Sequence, residues 1–156
     1  MKPRRAGKTS DIQIVSLAAP VRHALQGMAA LAARPERGLD ARSVARRLHL
    51  PEAALSKCFQ RLAARGLLES RRGPGGGYRL ARPPGSMSLA SIAAALALAR
   101  ARKGRCVLND RPCSDKTACV IHHAAGMADA RMKEALSRLT LADLVAPRKK
   151  TRVPPR

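Results

Sequence analysis

Three cysteines and a histidine stand close together late in the chain. They are Cys106, Cys113, Cys119 and His122, spaced Cys-x6-Cys-x5-Cys-x2-His. Thiolate is the ligand for iron–sulfur clusters, and a nearby imidazole can complete the set. No Cys-x2-Cys pair is present, so the spacing does not match an ordinary zinc ribbon or finger. Zinc on the three thiols, a bare thiol switch, or no metal at all stay open beside the cluster. Cys119 and His122 lie three apart at a helix start, which allows them to share one face. His123, four residues from Cys119, returns to nearly the same face and rivals His122 for that role. Arg105, Arg111 and Lys116 add positive charge that favours thiolate. The fourth cysteine, Cys58, falls on an apolar helical stripe and is expected in the core.

A second set of residues is suited to a polyanion. Ser56, Lys57, Gln60 and Arg61 share the polar side of one expected helix, together with Glu52. Serine, lysine, glutamine and arginine are donors suited to base edges and phosphates. A following hairpin adds Arg71, Arg72, Arg79 and Arg82, with Tyr78 on its return strand. Gly75 and Gly76 at its tip allow close approach to a sugar–phosphate backbone, where a Cβ would clash. Arg42, Arg46 and Arg47 flank the preceding helix and can hold phosphates.

Composition agrees with that partner. The chain has 156 residues, with 31 Lys and Arg against 10 Asp and Glu, a net charge of +21. Such a balance points to nucleic acid. With one Tyr, one Phe and no Trp, the core must be built from aliphatic residues, which favours helices over a β-sandwich. The ten carboxylates are scattered, and no nucleophile elbow, phosphate loop or His-Glu metal motif appears, so no enzyme is expected. An electron carrier could use the same cysteines but would not need the basic helix and hairpin. No run approaches the roughly 20 apolar residues of a membrane span, and no cleavable signal is evident. The protein is therefore expected in the cytoplasm, associated with the nucleoid, with its cysteines reduced or metal-bound.

The elements that must position these residues follow from spacing and punctuation. Pro20 suits a helix start, and Val21, Ala24, Leu25, Met28, Leu31 and Ala32 recur at helical spacing until Pro35 and Gly38. Asp40 caps a short second helix whose apolar face is Val44, Ala45 and Leu48. After a turn at His49 and Leu50, a third helix runs from Pro51 to about Arg65 and buries Leu55, Cys58, Phe59 and Leu62. Gly66 stops it. Leu67–Arg71 and Tyr78–Leu80 read as two strands around the turn from Arg72 to Gly77. Two tightly paired helices followed by a hairpin make a winged helix-turn-helix. Ser88 caps a further helix containing Leu89, Ile92, Ala93 and Leu96. A long helix from about Ala118 to Leu139 carries Val120, Ala124, Met127, Arg131 and Ala135 on one side. Thr140 caps a last turn, Leu141–Val145.

The expected fold is mainly α with a small β-wing. It divides into a basic disordered arm (1–10), a winged helix-turn-helix domain (11–99), a cysteine-rich loop (100–119), a dimerisation helix with its terminal turn (120–146) and a basic disordered tail (147–156). Lys2, Arg4, Arg5 and Lys8 charge the arm; Arg148, Lys149, Lys150, Arg152 and Arg156 charge the tail.

The stretch Leu50–Arg82, with the run RLAARGLLESRRGPGGGYRLAR inside it, resembles the Rrf-two family of bacterial winged-helix transcription regulators. The wing Arg72–Leu80 is the most specific part. The resemblance extends to the Val21–Ala33 helix, the three-cysteine loop and the closing Thr140-Leu141-Ala142-Asp143-Leu144, covering roughly residues 12–145. It implies a homodimer that binds a palindromic operator in double-stranded promoter DNA. It also implies an iron–sulfur cluster as sensor of iron, nitric oxide or redox state, with repression the commoner outcome. In the IscR-like subgroup a histidine three residues after the last cysteine is the fourth ligand of a 2Fe–2S cluster. His122 matches that position, beside Cys106, Cys113 and Cys119. In the NsrR-like type an acidic residue of the first helix is the ligand, and Arg22 stands there instead. A 4Fe–4S cluster would need a ligand from elsewhere.

The chain departs from the family pattern in several places. The first cysteine gap is one residue longer than usual. Ala54 replaces a common aromatic, and Ser56 and Lys57 replace a common Glu and Gln on the groove-facing side, where operator preference is set. A regulator of the same type without a cluster, sensing a small molecule or thiol oxidation, is the alternative. No small-molecule substrate is expected.

Overall fold

The computed structural model describes residues 17–35, 38–73, 76–96 and 120–146. Helix α1 spans Ala19–Ala32, α2 Ala41–Leu48 and α3 Glu52–Ala64. Strands β1 (Leu68–Arg71) and β2 (Gly77–Leu80) form the hairpin, and a single 3-10 turn at Pro84–Ser86 leads to α4 (Leu89–Leu96). Beyond the cysteine segment, α5 covers Val120–Arg138 and α6 Leu141–Val145. The fold is mostly helical with one two-stranded antiparallel sheet, as the sequence predicts.

Local chemistry sets the boundaries. The Asp40 carboxylate accepts from the Ser43 backbone N–H at 2.8 Å and from the Ser43 hydroxyl at 2.6 Å, capping α2. The chain leaves α2 through His49, whose φ of 52° is left-handed. Pro51 is the residue before α3 rather than its first turn, so α3 opens on Glu52. Thr140 and Asp143 form a reciprocal capping box on α6, with Thr140 N–H donating to Asp143 at 2.8 Å. Two backbone hydrogen bonds, Leu89 N–H to Leu139 O and Leu141 N–H to Met87 O, tie the start of α4 to the start of α6.

One core joins these elements. Phe59, Leu55 and Leu62 of α3 are fully buried with Met28 of α1, Ile92 of α4 and Leu141 of α6. Burying each such side chain is worth about 1.5–3 kcal/mol. Helices α1 and α3 approach closely at Gly27, where a Cβ would stand 2.7 Å from the Phe59 ring. Long helix α5 packs on α4 and has no buried residue of its own.

Candidate nucleic-acid interface

Helix α3 turns two faces in opposite directions. Leu55, Cys58, Phe59 and Leu62 are inside, while Glu52, Lys57, Gln60 and Arg61 are exposed and Ser56 is half-buried. The Cys58 thiol donates to the Pro20 carbonyl at 3.5 Å. Burial pushes its pKa up, against a smaller opposite pull from Arg61. A buried, protonated thiol is a core residue and a poor nucleophile.

Arg42, Arg46 and Arg47 of α2 are exposed. Arg42 is not alone: its Nε donates to Glu52 Oε1 at 3.1 Å, linking the first turn of α2 to the first residue of α3. This pairing is missing from the sequence reading. The signal available there was an acidic residue opening the recognition helix ten positions after an arginine, which does not identify a contact.

The wing pairs Leu68 with Leu80, Glu69 with Arg79, Ser70 with Tyr78 and Arg71 with Gly77. Arg71 and Arg72 are exposed on it, and Arg79 is half-buried. Gly75 lies outside the described residues. Gly76 sits inside the turn, where a Cβ would collide with the Arg71 carbonyl. Its smallness therefore serves the turn itself. Tyr78 is also turned inward: its ring meets Phe59 edge-on with centroids 5.0 Å apart, and it is half-buried. Its backbone exchanges hydrogen bonds with Leu39 at 2.9 and 3.1 Å, docking the wing onto the approach to α2. Gly77 makes that docking possible. Its φ is 121°, and a Cβ would lie 2.7 Å from the Leu39 backbone.

Of the expected cluster ligands only His122 falls among the described residues; Cys106, Cys113 and Cys119 lie outside them. His122 is half-buried on the first turn of α5, with its ring 6.0 Å from that of His123. Among the described residues no three His, Cys, Asp or Glu side chains come together as a metal site. Arg22, at the place of the acidic ligand, is exposed and donates to the Leu17 carbonyl at 3.3 Å. A guanidinium has no lone pair to give iron. By its chemistry, a set of three thiolates and an imidazole fits an iron–sulfur cluster. Among the described residues no helix is long and apolar enough to cross a membrane.

A helix-turn-helix, a docked wing and a cationic outer face on α2, α3 and β1 define a winged-helix DNA-binding regulator. The model of the family Rrf2, described as an iron-dependent transcriptional regulator, matches residues 17–147, and the chain belongs to that family. IscR of Klebsiella pneumoniae is 29% identical over 130 residues, covering 80% of this chain and 76% of the relative. An Aquifex aeolicus protein classed with HTH-type transcriptional regulators is 28% identical over 127 residues, 80% of this chain and 88% of the relative. Among solved structures, T. potens IscR superposes with a TM-score of 0.66 at 25% identity, over 85% of this chain and 87% of that one. CymR of B. subtilis, described as a global cysteine regulator, gives 0.64 at 26% identity, over 85% and 97%. These relatives are transcription regulators, and the chain is a DNA-binding transcription regulator rather than an enzyme.

Proposed function

We propose that the protein is a homodimeric repressor whose binding to a palindromic operator is set by an iron–sulfur cluster held by Cys106, Cys113, Cys119 and His122. The observation that carries this reading is the situation of α5. His122 sits on its first turn, its inner side packs on α4, and its outer side carries exposed apolar residues. Val120 is 80% exposed and Met127 60%, and Ala124, Met127, Arg131 and Ala135 line a groove of about 560 Å³ along the helix. Apolar side chains at this spacing suit a helix–helix seam with a second copy.

The cluster, when bound, supplies a centre that responds to iron supply, nitric oxide and oxidants. The chain's own residues do the rest. His122 would fix the start of α5, and α5 bears on α4, which packs on α1 and α3. A change at the start of α5 therefore reaches the recognition helix through packed elements. Ser56, Lys57, Gln60 and Arg61 would face base edges and phosphates in the major groove. Arg42, Arg46, Arg71, Arg72 and Arg79 would hold the backbone, with Gly75 and Gly76 at the wing tip. Tyr78 would support the wing from behind.

The description of CymR as a cysteine regulator supports a second reading, a clusterless member with the three cysteines as a thiol switch. Absorption spectroscopy of protein purified without oxygen, with iron and acid-labile sulfide counted, separates the two. Red-brown protein with about two irons and two sulfides per chain is expected, and His122→Ala is expected to alter the bands while His123→Ala leaves them unchanged. Colourless protein that reconstitution does not fill would leave the thiol switch. Bands lost in His123→Ala and kept in His122→Ala would reassign the fourth ligand.

A further inference from the structure

We infer that Glu52 is a positioning residue for DNA binding: through its hydrogen bond to Arg42 Nε it holds the Arg42 guanidinium ready for a phosphate. The inference rests on the DNA-binding reading and deepens it. Glu52 opens the recognition helix and is an acidic residue on a strongly cationic face. Taken alone, a carboxylate there should repel DNA. Three observations turn that around. The contact to Arg42 is made through Nε at 3.1 Å, which leaves the two terminal amino groups of the guanidinium as the fork that suits phosphate oxygens. Arg42 is 63% exposed and Glu52 48%, so the pair is open to a ligand. Glu52 is also in the first turn of α3, where the positive end of the helix dipole and the arginine both offset its charge.

As a surface ion pair the contact adds little to folding. Its effect is on the free arginine. An unheld arginine loses much rotamer freedom when it meets a phosphate, and a held one loses less. The pair also spans the starts of both helices of the helix-turn-helix, so Arg42 keeps a fixed place relative to the groove-facing side chains of α3.

The test uses the full chain and a duplex selected from a random library by the unmodified protein. Glu52→Ala is expected to weaken binding about threefold to tenfold, the scale of ordering one long side chain, although it removes a negative charge. Glu52→Gln keeps the acceptor oxygen and is expected to bind at least as tightly as the parent. In an Arg42→Ala background, Glu52→Ala is expected to cause no further weakening. Arg42→Ala itself should reduce the slope of log affinity against log salt by about one.

Thermal melts of the variants should coincide with the parent, since both side chains are exposed. Tighter or unchanged binding by Glu52→Ala would overturn the inference, because charge removal alone predicts that sign. A loss confined to duplexes altered at one base pair would overturn it too, in favour of a base-reading carboxylate. If the unmodified protein retains no duplex from the library, the DNA-binding reading falls and this inference with it. If a duplex is retained and the Ala and Gln variants behave alike, only the role of Glu52 is lost.

Discussion

Asp40 does two jobs at one position. It ends the approach to α2 and satisfies the N–H of Ser43, and these hydrogen bonds, the Ser43 hydroxyl first, hold its carboxyl below the usual 3.8. A lowered carboxylate pKa stabilises the fold fully above its unfolded value, and the contribution is lost as pH falls through the folded one. Asp40→Ala should therefore cost about 1 kcal/mol near neutral pH. In urea titrations the gap from the parent should narrow below pH 3.8. A gap that stays constant into acid would show that the charge of Asp40 is irrelevant to the cap. Asp40 and Thr140 were both legible as caps, because a cap is made by residues three apart; the return bond from the Thr140 N–H to Asp143 came only with the structure. Cys58 was legible as core for the same kind of reason: it lies on one stripe with Leu55, Phe59 and Leu62. Tyr78 was not legible. It was expected among the DNA-facing residues of the wing, whereas its ring packs edge-on against Phe59 of α3.

The wing shows what an element needs beyond its own sequence. Two short strands alone are marginal in water, and this pair is held by the Leu39–Tyr78 bridge and by Leu68 in the core. Gly77 is the point of closest approach, with left-handed backbone and no room for a Cβ. Gly77→Ala should cost about 2 kcal/mol or more from strain and displacement together. It should also weaken DNA binding more than the loss of stability alone implies, because Arg71 and Arg72 lose their platform. Hydrogen exchange reads this directly: faster exchange in residues 68–80 with α1 and α3 unchanged is expected. Protection equal to the parent would mean that the wing holds itself. Just after α2, His49 occupies a left-handed position that glycine takes without strain. His49→Gly should be neutral or stabilising by about 0.5 kcal/mol, net of the flexibility glycine adds to the unfolded chain.

At the scale of the whole molecule, the uncovered face of α5 and the excess charge are the two features that call for partners. If that face is the seam between copies, Met127→Asp should shift the protein toward monomer in sedimentation experiments. Binding to a two-half-site duplex should then drop at least tenfold, while the single chain keeps its melting behaviour, since Met127 is 60% exposed. A dimer that survives Met127→Asp would place the seam elsewhere. The basic ends belong to a different effect. Removing residues 1–9 and 147–156 takes away Lys2, Arg4, Arg5, Lys8 and five further cations of the tail. The deletion should weaken binding to cognate and scrambled duplexes equally and flatten the salt dependence. A loss seen only on the cognate duplex would give the arms a reading role.

Taken alone, the sequence determined what depends on near neighbours along the chain. Helix and strand positions, the caps at Asp40 and Thr140, the buried stripe of α3, the wing pattern and the cationic balance all follow from spacings of two to four residues or from composition. The family resemblance rested on the same local runs. Tertiary structure decided what depends on residues distant in sequence. It brought Glu52 to Arg42, Tyr78 to Phe59 and Gly77 to Leu39, and it left apolar side chains of α5 such as Val120 and Met127 exposed. Periodicity fixes which face of an element a residue occupies. Only packing fixes what that face meets, because each contact is a choice among many partners that no local spacing encodes.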